Sequence, residues 1–471
     1  MSAEHHKELG VVGNWWQAMM KNANANKTSH PNYFATTPET LQTEARLGSF
    51  LVGNSEDIYG HICPAIESAV EEVILVTCFW ARSSSLDMVS KSLRILSDRV
   101  VKNQQAKIRV FIGFSSLSTL QKLFHTRSTQ GTIYPATQWK NKLWLPDAAE
   151  LPGLEIRIKS IFVLPFSVMH PKFVITDRKV VFLPSCNVSW ESWFEGCITM
   201  SGPAVNQFVT FWKAFWVGED VDINKLNDTA VTTADGAVDG ILIDAPSRGA
   251  AHSSVDLRHM SPVYSLFLPS QHHANPRFSL PWQSHRMAPP TPLNTFVLEI
   301  LSSASSTIYM QTPNVTSPPV LSLLLQALRR GVNVHILTSE KLMILEQLVT
   351  AGTTTARCVR KLVKLYKRAS SSARPFDEES QPLALGRLRV DYYQPKAEAR
   401  RLLGEPVQSH LKFTIVDEQW VVLGSGNMDR ASWYTSQELG MAFKSQELAQ
   451  SVRRVVSEQM SGRTKTTFES A

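Results

Sequence analysis

Two hydrophobic periods alternate along the chain, and the points where one gives way to the other mark its elements. In "SEDIYGHICPAIESAVE" (55–71) the apolar positions Ile58, Ile62, Ile66, Ala69 and Val70 recur at helical spacing, with Ser55 as the expected N-cap. "EVILVTCFW" (72–80) is a short β-branched run, which predicts a strand buried on both faces. A helical stretch (85–103) and a second strand, "KIRVFIGF" (107–114), follow. The same succession returns as helix 292–305, strand 306–314, helix 317–331 closed by Gly331, and strand 332–339. In this register Ile74 answers Ile308 and Val110 answers Val334. The pattern predicts one α/β unit written twice. The parts expected are an N-terminal extension (1–46) packed loosely through Trp15 and Trp16, a first lobe (47–217), an irregular linker (218–260), a second lobe (261–460) and a frayed tail (461–471). A polar stretch at 368–382 reads as a loop inside the second lobe.

After these elements each copy sets polar residues into an apolar strand. "MHPKFVITDRKVVFLPSCNVS" (169–189) holds His170, Lys172, Asp177, Ser185 and Asn187. "SHLKFTIVDEQWVVLGSGNMD" (409–429) holds His410, Lys412, Asp417, Ser425 and Asn427. Histidine and asparagine stand 17 apart in both, and the histidines recur at a shift of 240. Residues two apart on a strand share a face, so an imidazole and an ammonium are expected to project together. Lysine charge and asparagine donors suit the non-bridging oxygens of a phosphodiester. An imidazole, with an ordinary pKa of about 6.5, can attack phosphorus or pass a proton. One copy has one motif histidine, whereas displacement through a covalent intermediate needs a nucleophile and an acid. Two copies supply both.

The pattern His-x-Lys-x4-Asp-x6-Gly-Ser-x-Asn, present twice, resembles the signature of the phospholipase D superfamily. "STIYMQTPN", "LRRGVNVHILTS", "RVDYYQP" and the text around the second motif are most similar to its cardiolipin-synthase and phospholipase D-like branches. The resemblance spans about residues 47–460. It implies an α/β, internally duplicated phospholipase D/nuclease fold, with two α/β/α lobes of mixed sheet packed about a pseudo-twofold axis. It also implies one site shared by the two motifs, a phosphohistidine, and no metal or other cofactor. Carried over, His170 is the nucleophile and His410 the general acid. Lys172, Lys412, Asn187 and Asn427 bind phosphate, and Ser185 and Ser425 support it. A carboxylate downstream of each asparagine orients the histidine: Glu438, eleven after Asn427, and Glu195, eight after Asn187. Asp177 and Asp417 are expected to make structural hydrogen bonds. The first copy departs from the pattern at Pro184, which stands where the family has glycine and removes a backbone donor.

Composition narrows the partners. The 471 residues are 43% hydrophobic and 19% charged, a globular balance, with a net charge of +7 that favours anionic partners. Five scattered cysteines form neither a disulfide framework nor a zinc pattern, which suits a reducing compartment. The start of the chain lacks an apolar leader, and no run approaches the length of a membrane span. The expected location is intracellular, cytoplasmic or peripheral to a membrane. Residues 355–374 interleave Arg357, Arg360, Lys361, Lys364, Lys367 and Arg368 with Val359, Leu362, Val363 and Tyr366, a cationic amphipathic helix suited to an anionic membrane surface or to nucleic-acid phosphates. The remaining histidines, such as His61 and His335, read as structural. The expected activity is a phosphodiesterase or phosphatidyltransferase on glycerophospholipids. Its rivals are a metal-independent nuclease with the same motifs and a catalytically silent lipid-binding protein. A monomer suffices, with no obligate protein partner, because the repeat completes the site.

Overall fold

The structure, a computed structural model, describes residues 3–117, 130–163, 167–217, 250–273, 275, 287–372, 385–396 and 404–470. Most of the expected linker (218–249) and most of the polar stretch at 368–382 lie outside the described residues. The chain divides into two compact units: one of Gln42–Phe267 with Ala397–Val407, the other of Met1–Leu41, Leu268–Lys396 and Gln408–Ala471.

In the unit that begins at Gln42, strand Glu72–Phe79 is central. It pairs in parallel with Ile108–Ser116, which pairs in parallel with Leu154–Ser160. On its other side Phe173–Thr176 runs antiparallel to it, followed by Val180–Pro184, Trp193–Ser201 and Gln42–Gly53, all antiparallel. The apolar run predicted to be covered on both faces is so covered. Val110, Ile112 and Val174 join the buried cluster with helices Ser55–Ser68 and Ser84–Lys102. Phe111 and Phe173 point the other way, onto Trp212 and Phe208 of helix Ala204–Phe215. Helix Ser55–Ser68 starts one residue earlier than expected: Asn54, not Ser55, is the N-cap and forms a capping box with Asp57.

The unit that contains the second motif repeats this strand order. Thr307–Gln311 pairs in parallel with Asn333–Thr338, and that strand with Leu388–Tyr393. Phe413–Val416, Trp420–Gly424 and Glu438–Lys444 follow antiparallel on the other side. The register moves one expected correspondence. Val73 opposes Val110 and Thr176, as Ile308 opposes Val334 and Val416. Val73, not Ile74, therefore answers Ile308. A one-residue slip on a strand exchanges the two faces, so the correction decides which side chains reach which helix layer.

Three expected boundaries change as well. Helix Ala3–Lys21 is anchored rather than loose: Trp15 and Met19, one turn apart, are fully buried. The Trp15 indole donates to the Pro292 carbonyl at 3.1 Å and meets Phe296 edge-on. Within the expected linker, Ser253–Asp256 forms a strand on Gln42–Gly53. The expected tail forms strand Thr464–Glu469, antiparallel to Leu388–Tyr393, where an edge would otherwise be open. Among the described residues no helix is long and apolar enough to cross a membrane.

Candidate active site

Neither motif histidine lies within a regular strand. Strand Gln408–Ser409 stops before His410 and the next begins at Phe413; in the first copy the strand begins at Phe173. Leaving the ladder releases the histidine carbonyl, and the lysine two residues on takes it. Lys412 Nζ donates to His410 O at 2.7 Å and Lys172 Nζ to His170 O at 2.9 Å. Both ammonium groups are buried, at 3% and 1% exposure. A buried cation must meet oxygen acceptors or anions, so these two lysines favour an anionic ligand beside each histidine. In the second copy Lys412 Nζ also lies 3.0 and 3.1 Å from the two ring nitrogens of His410. An ammonium only donates, so the nitrogen that accepts from it carries no proton.

The serines and glutamates form matching pairs. Ser425 Oγ donates to Glu438 Oε2 at 2.5 Å and accepts from Leu439 N at 2.9 Å. Ser185 Oγ donates to Glu195 and accepts from Gly196 N at 2.9 Å. Glu195 and Glu438 therefore occupy the same place in their units, although their distances from the asparagine differ by three residues in the sequence. The extra length in the second copy holds the short helix Arg430–Tyr434, from which Ser432 Oγ accepts from Asn427 N at 3.1 Å and donates to Glu438 Oε1 at 2.6 Å. Both glutamates are nearly fully buried.

The asparagines are oriented differently. Asn187 Oδ1 accepts from the Phe79 amide at 3.3 Å, at the C-terminal end of the central strand. Asn427 Nδ2 donates to Asp429 Oδ2 at 3.0 Å. Asp429 is buried, and burial pushes its carboxyl above the ordinary range against the bonds from Ser432 and Asn427. Sequence reasoning missed Asp429 and Ser432. Their signal was present in "NMDRAS", an N-cap aspartate with a serine three residues on, which the structure realises as Ser432 N donating to Asp429 Oδ1 at 2.9 Å.

The motif aspartates stand apart from this chemistry. Asp177 accepts from the backbone amides of Val70, Glu71 and Glu72, and Asp417 from those of Ser305, Ser306 and Thr307. Each ties the turn between a helix and the central strand of its unit. Five residues of extended chain separate Asp417 from Lys412, about 17 Å.

The departure at Pro184 has a local account. Ser185 N donates to Gly196 O, so Ser185 and Gly196 form the hydrogen-bonded pair and Pro184 faces Cys197 in a pair without ladder bonds. Proline therefore costs no bond to that strand. In the second copy Gly424 has φ +154°, and a Cβ there would lie 2.3 Å from the Leu439 carbonyl. Gly424→Ala is expected to destabilise the protein by about 2–4 kcal/mol and to displace Ser425. Urea unfolding measures the first effect, and a midpoint equal to wild type would contradict it.

Both units thus combine a mixed sheet with a site of histidine, lysine, serine, asparagine and glutamate at strand ends. Residues 297–460 match the family model described as "Cardiolipin synthase, PLD-like domain". Among solved structures, phosphatidylserine synthase from Haemophilus influenzae Rd KW20 is similar with a TM-score of 0.52 at 14% identity, covering 91% of this chain and 90% of that one. Polyphosphate kinase from Porphyromonas gingivalis gives 0.43 at 11% identity, covering 87% and 46%. Nuc, a phospholipase D family member from Salmonella typhimurium, gives 0.25 at 21% identity, covering 37% and 90%. A comparison with curated proteins found no match. A phospholipase D-like domain is therefore recognised in residues 297–460, and the fold is similar to that of the synthase over nearly the whole chain.

Proposed function

We propose that the protein is a phosphodiesterase or phosphatidyltransferase acting on glycerophospholipids, with its two motifs contributing to one reaction. The observation that carries this reading is the pairing of a buried lysine with a motif histidine in each unit, backed each time by a serine–glutamate bond. The lipid preference is supported by the cardiolipin-synthase description of the matched family and by the phosphatidylserine synthase whose fold covers nearly the whole chain.

In the proposed reaction an unprotonated imidazole nitrogen of His170 attacks phosphorus and forms an N–P bond. The bond from phosphorus to the head-group oxygen breaks, and that oxygen takes a proton from His410. His410, now neutral, removes a proton from water or an acceptor alcohol. That oxygen attacks phosphorus, and the N–P bond breaks to give phosphatidic acid or a new phosphodiester. Lys172 and Lys412 balance the charge on the non-bridging oxygens. The division of roles between His170 and His410 is the one that the family resemblance implies. Glu195 and Glu438 order the site through their serines.

The test offers the purified protein, in EDTA, phosphatidylcholine vesicles, phosphatidylglycerol vesicles and a labelled single-stranded oligonucleotide. Release of phosphatidic acid or transfer of the phosphatidyl group is expected. Oligonucleotide cleavage with both lipids inert would overturn the lipid reading.

A further inference from the structure

One helix in the second-motif unit is turned inside out. Ile344–Ala351 buries its glutamine and exposes its apolar residues. Gln347 is 3% exposed, while Leu345 is 76% exposed and Met343, Ile344, Leu348 and Val349 are each near 40%. The orientation is fixed by hydrogen bonds. Gln347 Nε2 donates to Leu342 O at 2.6 Å, and Gln347 Oε1 accepts from the amide and hydroxyl of Thr355 at 2.6 and 3.0 Å. Five neighbouring apolar side chains held outward in this way form a contiguous apolar patch, which in a soluble domain marks an interaction surface.

The surroundings say what covers it. Thr355, held by Gln347, is the first residue of helix Thr355–Ser372. That helix buries Cys358, Val359, Leu362 and Tyr366 and exposes Arg357, Arg360, Lys361, Lys364, Lys367 and Arg368. Residues 340–372 hold seven basic side chains against Glu340 and Glu346, a surplus of five out of the chain's net seven. Between this helix and Pro318–Arg329 runs a groove of about 650 Å³ with Leu321, Leu325, Leu362 and Leu365 in its walls and Arg357, Lys361 and Arg430 among its lining. The surface also reaches the second motif, because Arg430, three residues after Asn427, donates to the Thr350 carbonyl at 3.2 Å.

We propose that this surface docks the protein on an anionic phospholipid bilayer. Met343–Val349 enter the head-group layer and the basic helix lies against the phosphates. An exposed row of cations follows the apolar patch in the chain, tied to it through Gln347 and Thr355, and an anionic bilayer presents a complement to each. The proposal deepens the lipid reading above and rests on it for the substrate, but its test does not depend on turnover.

The test is flotation with vesicles of phosphatidylcholine alone or doped with phosphatidylglycerol. Wild type is expected to float with the anionic vesicles only. Leu345→Glu, at an exposed position that leaves folding intact, and Lys361→Glu with Lys364→Glu are each expected to weaken binding by about tenfold or more. Leu345→Cys, labelled with an environment-sensitive fluorophore, is expected to shift to the blue on anionic vesicles. The five native cysteines are buried, so the label is selective. Turnover of a soluble short-chain phospholipid is expected to be unchanged in all of these variants. Equal flotation of variants and wild type would overturn the proposal. So would a dimer that Leu345→Glu dissolves, or binding of an oligonucleotide in place of vesicles. Vesicle binding of wild type, lost in the variants, supports the docking surface even if no lipid is turned over, in which case the failure belongs to the proposed reaction.

Discussion

His170→Ala and His410→Ala are each expected to lower turnover by on the order of 10⁴-fold or more, since in the proposed reaction one forms the bond to phosphorus and the other protonates the leaving oxygen. The two losses differ in kind. Without His170 no phosphoenzyme can form, so a substrate labelled at phosphorus leaves no label on the protein. Without His410 the attack by His170 remains feasible for a leaving group that needs no proton. A p-nitrophenyl phosphodiester is therefore expected to give a burst of about one p-nitrophenolate per enzyme and a labelled protein that turns over slowly. Label retained in His170→Ala and lost in His410→Ala would exchange the two roles. Equal partial activity in both variants would contradict a reaction that draws on both motifs. Neither histidine lies within a ladder, so thermal unfolding should move little, and that separates a chemical loss from a folding loss.

The elements were legible because each obeys one dominant rule. Glu72–Phe79 and Thr307–Gln311 are apolar runs, and the helices beside them carry strict apolar spacing. What escaped depends on contacts distant in sequence. Trp15 was legible as an anchor but not how firmly it holds, since the Pro292 carbonyl that receives its indole is 277 residues away, and Trp16, expected beside it as an anchor, is 39% exposed. The tail becomes a strand only because Leu388–Tyr393 offers it an edge. At the site, His, Lys, Ser and Asn were legible as residue types at fixed spacing. The pairing of Glu195 with Glu438 came from the family resemblance rather than from spacing, because the two loops differ by three residues; each glutamate accepts from the serine hydroxyl of its own copy. The inverted helix at 344–351 reads in sequence as an ordinary apolar stretch. Only the bonds of Gln347 show which side faces out.

Asp417→Ala is expected to be a purely structural loss of about 2–4 kcal/mol at neutral pH. The carboxylate accepts from the amides of Ser305, Ser306 and Thr307 and from two serine hydroxyls, all at 2.8–2.9 Å. A charge-assisted bond contributes about 1.5–3 kcal/mol when buried, but most of these face solvent, and screening reduces the sum. Burial raises the carboxyl, yet donation from Thr307, Ser305 and Ser306 outweighs it and holds Asp417 below its ordinary range. The sign follows. A depressed carboxyl stabilises the fold fully above its unfolded value of about 3.9 and loses that contribution as pH falls through the folded value. Urea midpoints of wild type and variant should therefore lie well apart at pH 7 and converge at pH values below the unfolded one. A gap that does not change with pH would show that the missing bonds are not those of an ionised carboxylate. Turnover per folded molecule should survive the substitution, because the aspartate sits some 17 Å of extended chain from Lys412. A large fall in turnover of fully folded variant would instead bring Asp417 into the chemistry and overturn its assignment as the tie between a helix and the central strand.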